Sequence, residues 1–304
     1  MQITSGIICV DKPEGFTSFD VVAKARGITG CRKIGHGGTL DPMATGVLPL
    51  FLGRATKVMD IMPTEDKRYT ASFRLGLTTD TQDSTGTVLS ESPMAVTREM
   101  LEQALQPLRG EICQLPPMYS AVQVNGRRLY DLAREGKEVE RPTRQVTIHA
   151  LNLLCYDADT REGMLDIACS KGTYVRTILH DVGQALGCGG VMTALRRTET
   201  LGYPLSCCCT LEQLQVLADA GRLGEVLLPP QTAFEPYPKV RLDEKQAKMF
   251  LNGVRLDTGR LRCPPAHGRV TVWQDTQFLG VARIDPDAKE LIMEKLFQLS
   301  HNNT

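Results

Sequence analysis

The chain has 304 residues, of which 42% are hydrophobic and 23% are charged. This composition is ordinary for a globular protein of one large or two smaller domains, and a chain of this length can fold without a disulfide or a metal. Its 35 basic and 35 acidic side chains cancel, so the whole-chain charge gives no support for a nucleic-acid partner.

The N-terminal part is predicted to place a glycine-rich loop after one strand and one helix. Residues 7–11 have the pattern of a short buried strand, and a helix follows over about 19–26, which Thr17 or Ser18 can cap. Glycines crowd residues 35–46, which predicts a loop with neither helix nor strand.

The middle of the chain mixes strands with helices. Residues 67–76 predict a half-buried strand because alternate apolar side chains share one face: Tyr69, Ala71, Phe73 and Leu75. Further elements are predicted in this order: an amphipathic helix over 97–108, strands over 145–157 and 164–170, a helix over 173–186, and a helix that starts at Thr210 in a capping box with Gln213.

A proline-rich segment predicts where the chain divides. Four prolines between residues 229 and 238 indicate a stiff connector, which gives a large domain over 1–235 and a small one over 236–304. The small domain is predicted to hold a helix over 243–252 and strands over 269–273, 277–284 and 291–295. Without a regular βαβ rhythm, the chain as a whole predicts an α+β fold with a mixed, mostly antiparallel sheet.

Motifs for cofactors and targeting are absent from the sequence. The first residues have no basic leader, and no apolar stretch approaches the ~20 residues that span a membrane. Ten cysteines occur without a C-x2-C pair, and no glycine-rich nucleotide motif is present. We therefore expect a cytoplasmic protein with reduced thiols, no metal and no cofactor.

Basic side chains cluster in two places despite the neutral total. One cluster has no acid within it: Lys24, Arg26, Arg32 and Lys33. The other is diluted by four acids: Arg127, Arg128, Arg134, Lys137, Arg141 and Arg144. Two solvated faces are the simpler explanation from charge alone, so an RNA-binding interpretation needs other support.

The loop around Asp41 has the features of a reactive site. Its glycines allow unusual φ angles and the close approach of a ligand, while Pro42 restricts Asp41 to an extended conformation. A plain Asp-Pro turn would explain the same residues. Arg176, at a predicted strand-to-helix junction, is a candidate partner, and a carboxylate beside arginine stays ionised, which suits a nucleophile.

The same loop closely resembles the catalytic motif of the TruB-type tRNA pseudouridine-55 synthases, in the run KIGHGGTLDPMATGVL over 33–48. Other blocks resemble that family in the same order along the chain: 6–22, 67–69 with 75–83, 116–130, and 171–176 with 195–197. The tail from about Pro238 resembles the PUA-type RNA-binding module that ends many members.

The resemblance implies an isomerase that converts one uridine in the TΨC loop of tRNA to pseudouridine. This chemistry needs a nucleophilic carboxylate and neither a metal nor a redox cofactor. Asp41 matches the family nucleophile. Tyr69 matches the tyrosine that stacks on the target base and is a candidate for handling its C5 proton, and Arg176 matches the arginine that pairs with the aspartate.

Other matching residues are implied to contact the substrate. His36 matches the histidine that fills the space left when the target base leaves its stack. Leu195 matches an apolar pocket residue, and Asp83 a carboxylate in the charge network of the site. Lys12 is expected to line the site from the first strand, and Tyr174 is assigned to the substrate with the block over 171–176.

A long insertion over about 117–144 is implied to contact the RNA. Arg127 and Arg128 would reach phosphates, and Tyr119 and Tyr130 would stack on splayed bases. This arrangement favours direct capture of tRNA by a monomer that needs no protein partner. Three alternatives stay open: a non-catalytic RNA-binding or RNA-folding protein, a guide-RNA-dependent relative that works in a larger complex, and a metal-dependent hydrolase that uses the cysteines.

Overall fold

The computed structural model of the protein describes residues 5–120 and 122–297. Over these ranges the chain forms six α-helices: α1 (Ser18–Thr29), α2 (Arg98–Leu105), α3 (Leu129–Arg134), α4 (Val175–Ala185), α5 (Leu211–Asp219) and α6 (Glu244–Leu251). None of these described helices combines the length and apolar character needed to cross a bilayer.

Eighteen strands lie in the same described ranges. The first nine are β1 (Ser5–Lys12), β2 (Ile34–His36), β3 (Thr45–Gly53), β4 (Lys67–Leu75), β5 (Leu77–Thr79), β6 (Val88–Glu91), β7 (Gly110–Gln114), β8 (Gln123–Val124) and β9 (Arg127–Arg128). The other nine are β10 (Arg144–Asp157), β11 (Glu162–Cys169), β12 (Gly190–Thr200), β13 (Tyr203–Pro204), β14 (Lys239–Leu242), β15 (Leu256–Asp257), β16 (Gly268–Gln274), β17 (Gln277–Asp285) and β18 (Glu290–Leu296).

A central sheet organises the first two thirds of the chain. Its strands follow the order β1-β3-β12-β4-β11-β10-β7, with β2 beside β3 and β13 beside β12. The β3–β12 pair is parallel, and the other pairs are antiparallel. Helices α2 and α4 pack against this sheet. The mixed, mostly antiparallel sheet confirms the predicted α+β class.

Local sequence signals placed several helix starts correctly. Thr17 caps α1 in a capping box with Asp20, and Thr210 caps α5 in a capping box with Gln213. In each box the side-chain oxygen of the cap accepts a hydrogen bond from a backbone amide of the first turn that has no partner within the helix. The predicted helix over 97–108 stops earlier as an α-helix, because Pro107 falls in a short 3-10 turn that follows α2.

The prediction of a loop over 35–46 was wrong at both ends. Gly35 and His36 belong to β2, where they pair with Phe51 and Leu50, and β3 already begins at Thr45. Both strands depend on pairing with distant residues, which the local glycine content does not reveal. The predicted helix over 173–186 is also shorter, because its N-cap is Tyr174.

Gly46 lets β3 and β12 approach each other closely. Its φ is +103°, and a Cβ there would lie 2.8 Å from the amide nitrogen of Arg197 and closer still to the Arg197 carbonyl oxygen. Both atoms belong to the backbone and cannot turn away. The parallel β3–β12 contact therefore requires glycine at this position.

Replacing Gly46 with alanine is expected to destabilise the protein by about 3–5 kcal/mol, because backbone strain and overpacking add. Gly30→Ala is the matched control: Gly30 also has a positive φ of +66°, but nothing lies within 4 Å of an added Cβ. Its expected cost is about 1–2 kcal/mol. Denaturant unfolding of both variants would measure the difference, and equal losses would contradict the close-approach explanation.

The C-terminal strands form a separate five-stranded sheet of order β14-β16-β17-β18-β15. Helix α6 packs on this sheet, and the two enclose a separate apolar core in which Val240, Phe250 and Leu279 are buried. This confirms the predicted β-rich C-terminal unit. The division of the chain at residue 235 and the limits of the insertion over 117–144 stay predictions.

The proline-rich connector is packed and not free. Phe234 is buried and stacks on Tyr237, and it shares one apolar cluster with Phe51 of β3 and Phe278 of β17. The Tyr237 hydroxyl also donates a hydrogen bond to the carbonyl oxygen of Ile61 at 3.2 Å. Both sheets therefore contribute to one apolar cluster around this segment.

Candidate active site

Asp41 lies in the loop that joins β2 to β3, and its neighbours are fixed from two sides. The amide of Gly15 donates to the Pro42 carbonyl at 2.8 Å. The Ser18 hydroxyl, at the start of α1, accepts from the Leu40 amide at 2.9 Å. The side chain of Asp41 is 46% exposed. A half-exposed carboxylate on a fixed backbone can reach a bound molecule without a large rearrangement.

Lys12, at the end of β1, holds this loop through hydrogen bonds to backbone carbonyl oxygens. Its side chain is fully buried and donates to the carbonyl oxygens of Pro13 (2.9 Å), Phe16 (2.5 Å) and Pro42 (3.2 Å). Burial lowers the pKa of Lys12 to about 8, and the negative charge of Asp41 opposes that shift. Lys12 thus holds the loop through these carbonyl oxygens and lines neither of the two cavities described below, so its contact with the substrate stays a prediction.

Arg176 joins the loop to the rest of the site. It lies in the first turn of α4 with only 8% of its side chain exposed, and its Nη2 is 3.1 Å from Asp41 Oδ2. Its Nη1 is 3.4 Å from Asp83 Oδ2 and donates to the Thr81 carbonyl at 3.1 Å, while Nη2 donates to the Tyr119 carbonyl at 3.0 Å. One guanidinium thus contacts two carboxylates and two backbone segments.

Asp83 completes this charge network from a turn after β5. Its second carboxylate oxygen, Oδ1, accepts from the hydroxyls of Thr81 (2.8 Å) and Thr85 (2.6 Å) and from the Thr85 amide (3.0 Å). The side chain is 7% exposed. Because every part of this carboxylate is held, Asp83 fixes Arg176 in position while Asp41 keeps its free side towards solvent.

A cavity of about 230 Å³ opens beside Asp41. It is smaller than the ~300–1,000 Å³ typical of sites for drug-sized ligands, so it suits a small group. Tyr69 and Leu195, from the neighbouring strands β4 and β12, are buried at its wall. The full lining is Thr39, Leu40, Asp41, Lys67, Tyr69, Ser120, Gly172, Thr173, Tyr174, Val175, Arg176 and Leu195.

A second cavity of about 470 Å³ adjoins the first and shares Asp41, Ser120 and Arg176 with it. The insertion contributes three more side chains to its wall: Tyr119, Arg128 and Tyr130. The two tyrosine rings meet edge to face at 6.2 Å, and the Arg134 guanidinium lies 4.4 Å from the Tyr130 ring centroid. The Asp41–Arg176 pair thus stands where the two cavities meet.

The remaining predicted residues divide into two groups. Tyr174 and Arg128 line the first and second cavity respectively. His36 lines neither, and its Nδ1 is buried without a hydrogen-bond partner among the described residues; burial also lowers the pKa of His36. Arg127 is exposed and forms an ion pair with Glu135.

Two cations near the site belong to blocks that resemble the family but were given no role from the sequence. Lys67 lines the first cavity, and Arg197 is fully buried beside Tyr69. The alternation of a strand could have identified both, because Lys67 is two residues from Tyr69 and Arg197 is two residues from Leu195. Residues at this spacing share one face of the sheet.

Family models match nearly the whole chain beyond residue 26. The N-terminal domain of TruB family pseudouridylate synthase matches residues 26–175, the tRNA pseudouridylate synthase B C-terminal domain matches 176–235, and the C-terminal model of pseudouridine synthase II TruB matches 238–289. A protein of Stutzerimonas stutzeri named tRNA pseudouridine synthase B is 44% identical over 94% of this chain and 93% of its own length. One of the same name from Azoarcus sp. is 44% identical over 92% and 91%.

Solved structures share the fold. A chain in the structure of an H/ACA RNP bound to a substrate RNA containing 2′-deoxyuridine superposes with a TM-score of 0.75 at 23% identity, over 98% of this chain and 87% of that one. A chain in a Cbf5-Nop10-Gar1 complex gives 0.74 at 25% identity, over 98% and 86%. Together with the family models, the fold and the site define a pseudouridine synthase, an enzyme of the isomerase class. The chain belongs to the TruB family.

Proposed function

We propose that this chain converts uridine 55 in the TΨC loop of tRNA to pseudouridine, with Asp41 as the nucleophile. The observation that carries the proposal is the Asp41–Arg176 ion pair of 3.1 Å at the edge of a cavity of about 230 Å³, which has room for a small group such as one base. The name tRNA pseudouridine synthase B, borne by relatives that are 40–45% identical, supports tRNA as the substrate.

The geometry suits the isomerisation chemically. The bond between C1′ and N1 of uridine breaks, a bond between C1′ and C5 forms, the C5 proton leaves, and N1 gains a proton, so no oxidant or reductant is needed. Arg176 pairs with Asp41 at 3.1 Å and holds the carboxylate in one orientation, which suits a nucleophile. Tyr69 lies at the cavity wall, where it can stack on the uracil and take part in the proton transfers.

The target base has to leave its stack to reach Asp41. A cavity of about 230 Å³ admits one base and little more. Unstacking costs a few kcal/mol, which contacts to the flipped base and to its neighbours must offset. Leu195 and Tyr174 supply apolar and aromatic contacts around the base, and we assign His36 to the RNA side of the loop.

The insertion over 117–144 is proposed to hold the RNA beside the cavity. The edge-to-face pair of Tyr119 and Tyr130 offers aromatic surface for a splayed base, and Arg128 stands next to it. Arg127 and Arg128 supply charge for phosphates on the same hairpin. The capture surface thus belongs to the chain that holds Asp41, which supports action without a guide RNA or partner protein. We infer in addition that the protein works as a monomer in the cytoplasm.

The test is release of tritium from a tRNA transcript labelled at carbon 5 of uridine, with the purified chain alone. We expect stoichiometric release and a pseudouridine mapped to the TΨC loop. Binding of the transcript without any release would favour the non-catalytic RNA-binding alternative. Release that needs an added guide RNA or protein would contradict stand-alone action.

Replacing both Arg127 and Arg128 with alanine is expected to weaken tRNA binding and to flatten its salt dependence. Each lost phosphate contact lowers the slope of log Kd against log salt by about 0.7–0.9. Arg98→Ala is the matched control, because Arg98 is paired and 48% exposed, as Arg127 is, but lies on α2. Titrations at several salt concentrations would check this, and an unchanged slope would contradict the assignment of the hairpin.

A further inference from the structure

Arg197 is a fully buried cation of a kind that folded proteins rarely keep. Its side chain has no exposed surface, and among the residues that the structure describes no carboxylate pairs with it. Burying a charge without an opposite charge is costly. A strand residue at the centre of a sheet could be apolar at little cost to packing. The buried guanidinium therefore indicates a specific role for Arg197.

Two of its nitrogens fasten the catalytic loop to the sheet. Nε donates to the Val47 carbonyl at 2.8 Å, and Nη2 donates to the Gly38 carbonyl at 3.0 Å. Val47 lies in β3, and Gly38 lies three residues before Asp41. These two bonds hold the glycine-rich segment against the strand that follows it, but they use only part of the guanidinium.

The neighbour of Arg197 on the adjacent strand is Tyr69. Arg197 and Tyr69 are direct cross-strand partners in the antiparallel β12–β4 pair, so their side chains leave the same face of the sheet about 5 Å apart. Nη1 is buried and has no hydrogen-bond partner among the described residues, although Tyr69 is the direct cross-strand neighbour of its residue. Its donors are therefore free for the Tyr69 hydroxyl.

We propose that Arg197 is a positioning residue for the Tyr69 hydroxyl in the isomerisation. A guanidinium only donates hydrogen bonds, so the phenolic oxygen accepts when Nη1 bonds to it, and the hydroxyl proton is left available to a group in the cavity that Tyr69 lines. The proposal rests on the function proposed above, in which Tyr69 takes part in proton transfer at the base.

The charge of Arg197 also acts on the acidity of the phenol. Burial raises the pKa of Tyr69 to about 12, and the positive charge of Arg197 opposes that rise. Without the guanidinium the pKa of Tyr69 would therefore lie higher still, and the hydroxyl would be a weaker proton donor. Loss of Arg197 would therefore impair the Tyr69 hydroxyl in two ways, through its orientation and through its acidity.

The test is a double-mutant cycle between Arg197→Lys and Tyr69→Phe, read by single-turnover rate and tRNA affinity. Lysine keeps the charge but cannot reach two carbonyls and the phenol together. We expect Arg197→Lys to slow turnover about 10–100-fold with tRNA affinity within twofold, and to have less than a twofold effect in the Tyr69→Phe background. An equal loss in both backgrounds would mean that Arg197 acts on the loop alone, and it would overturn the proposal.

Arg196→Lys is the matched control. Arg196 is the next residue on β12, is 41% exposed on the other face, and pairs with Asp11 at 2.6 Å. We expect its replacement to leave the single-turnover rate within twofold. Thermal unfolding of both variants separates loss of fold from loss of positioning.

A spectroscopic test of the same proposal does not depend on enzymatic activity. In protein labelled with ¹³C at the tyrosine ζ carbon, Tyr69→Phe identifies the resonance of Tyr69. Arg197→Lys should move that resonance and Arg196→Lys should not; a resonance that stays in place contradicts the contact. If wild type makes no pseudouridine, the proposed function fails while this measurement still decides whether Arg197 sets the state of the hydroxyl.

Discussion

Replacing Asp41 with asparagine is expected to abolish isomerisation while leaving tRNA affinity nearly unchanged. Asparagine fills the same volume but lacks the charged oxygen that attacks the nucleotide in the proposed mechanism, so the single-turnover rate should fall by at least about 10⁴-fold. A carboxylate repels phosphates, so Asp41 should contribute little to RNA affinity. Tritium release and filter binding on the same preparation would measure both quantities.

Asp60→Asn is the matched control for this experiment. Asp60 is an exposed carboxylate that pairs with Lys295 at 3.0 Å, on a segment that lines neither cavity. Its replacement removes one charge from the protein and should leave the rate unchanged. An Asp41→Asn variant with normal turnover would refute the nucleophile assignment, whereas a large loss of affinity would assign Asp41 to binding.

Loss of Arg176 is expected to affect both stability and turnover. In Arg176→Met the buried carboxylate of Asp83 loses its cation, and breaking such a pair costs about 3–5 kcal/mol. Asp41 also loses the group that orients it, which should slow turnover about 10³-fold. Denaturant unfolding and single-turnover kinetics would measure the two effects.

Two further variants make the Arg176 result interpretable. Arg176→Lys keeps the charge but cannot contact Asp41 and Asp83 together, so we expect a smaller loss of stability and a rate still reduced at least about 10²-fold. Arg68→Met removes an arginine that is 51% exposed and paired with Asp166 on the same sheet, which should cost at most about 1 kcal/mol. Equal stability losses in Arg68→Met and Arg176→Met would show that burial of the Arg176 pair does not matter.

The sequence was most informative where the signal is local. The capping residues Thr17 and Thr210 and the alternation around Tyr69 predicted elements that the structure confirms. The resemblance in motif blocks paired Asp41 with Arg176, although 135 positions separate them in the sequence. The structure places the guanidinium and the carboxylate 3.1 Å apart. No local pattern could have done so, because that contact depends on the order of the strands.

Other features depend on strand pairing between residues that are distant in the sequence, which local patterns do not predict. The strand status of His36 comes from its partner Leu50, and the need for glycine at position 46 comes from Arg197. Lys12 lines neither cavity, because three carbonyl oxygens surround its ammonium group and hold it at the loop. The direction of a buried side chain is decided by which acceptors the fold brings near it.

The apolar cluster around Phe234 has a consequence for the distance between the Asp41 cavity and the C-terminal sheet. Because Phe51 of one sheet and Phe278 of the other pack into the same cluster, the span from the Asp41 cavity to the outer face of the C-terminal sheet is set by packed side chains. The Lys295–Asp60 ion pair joins the two parts at another point. An RNA that contacted both places would have to match this span.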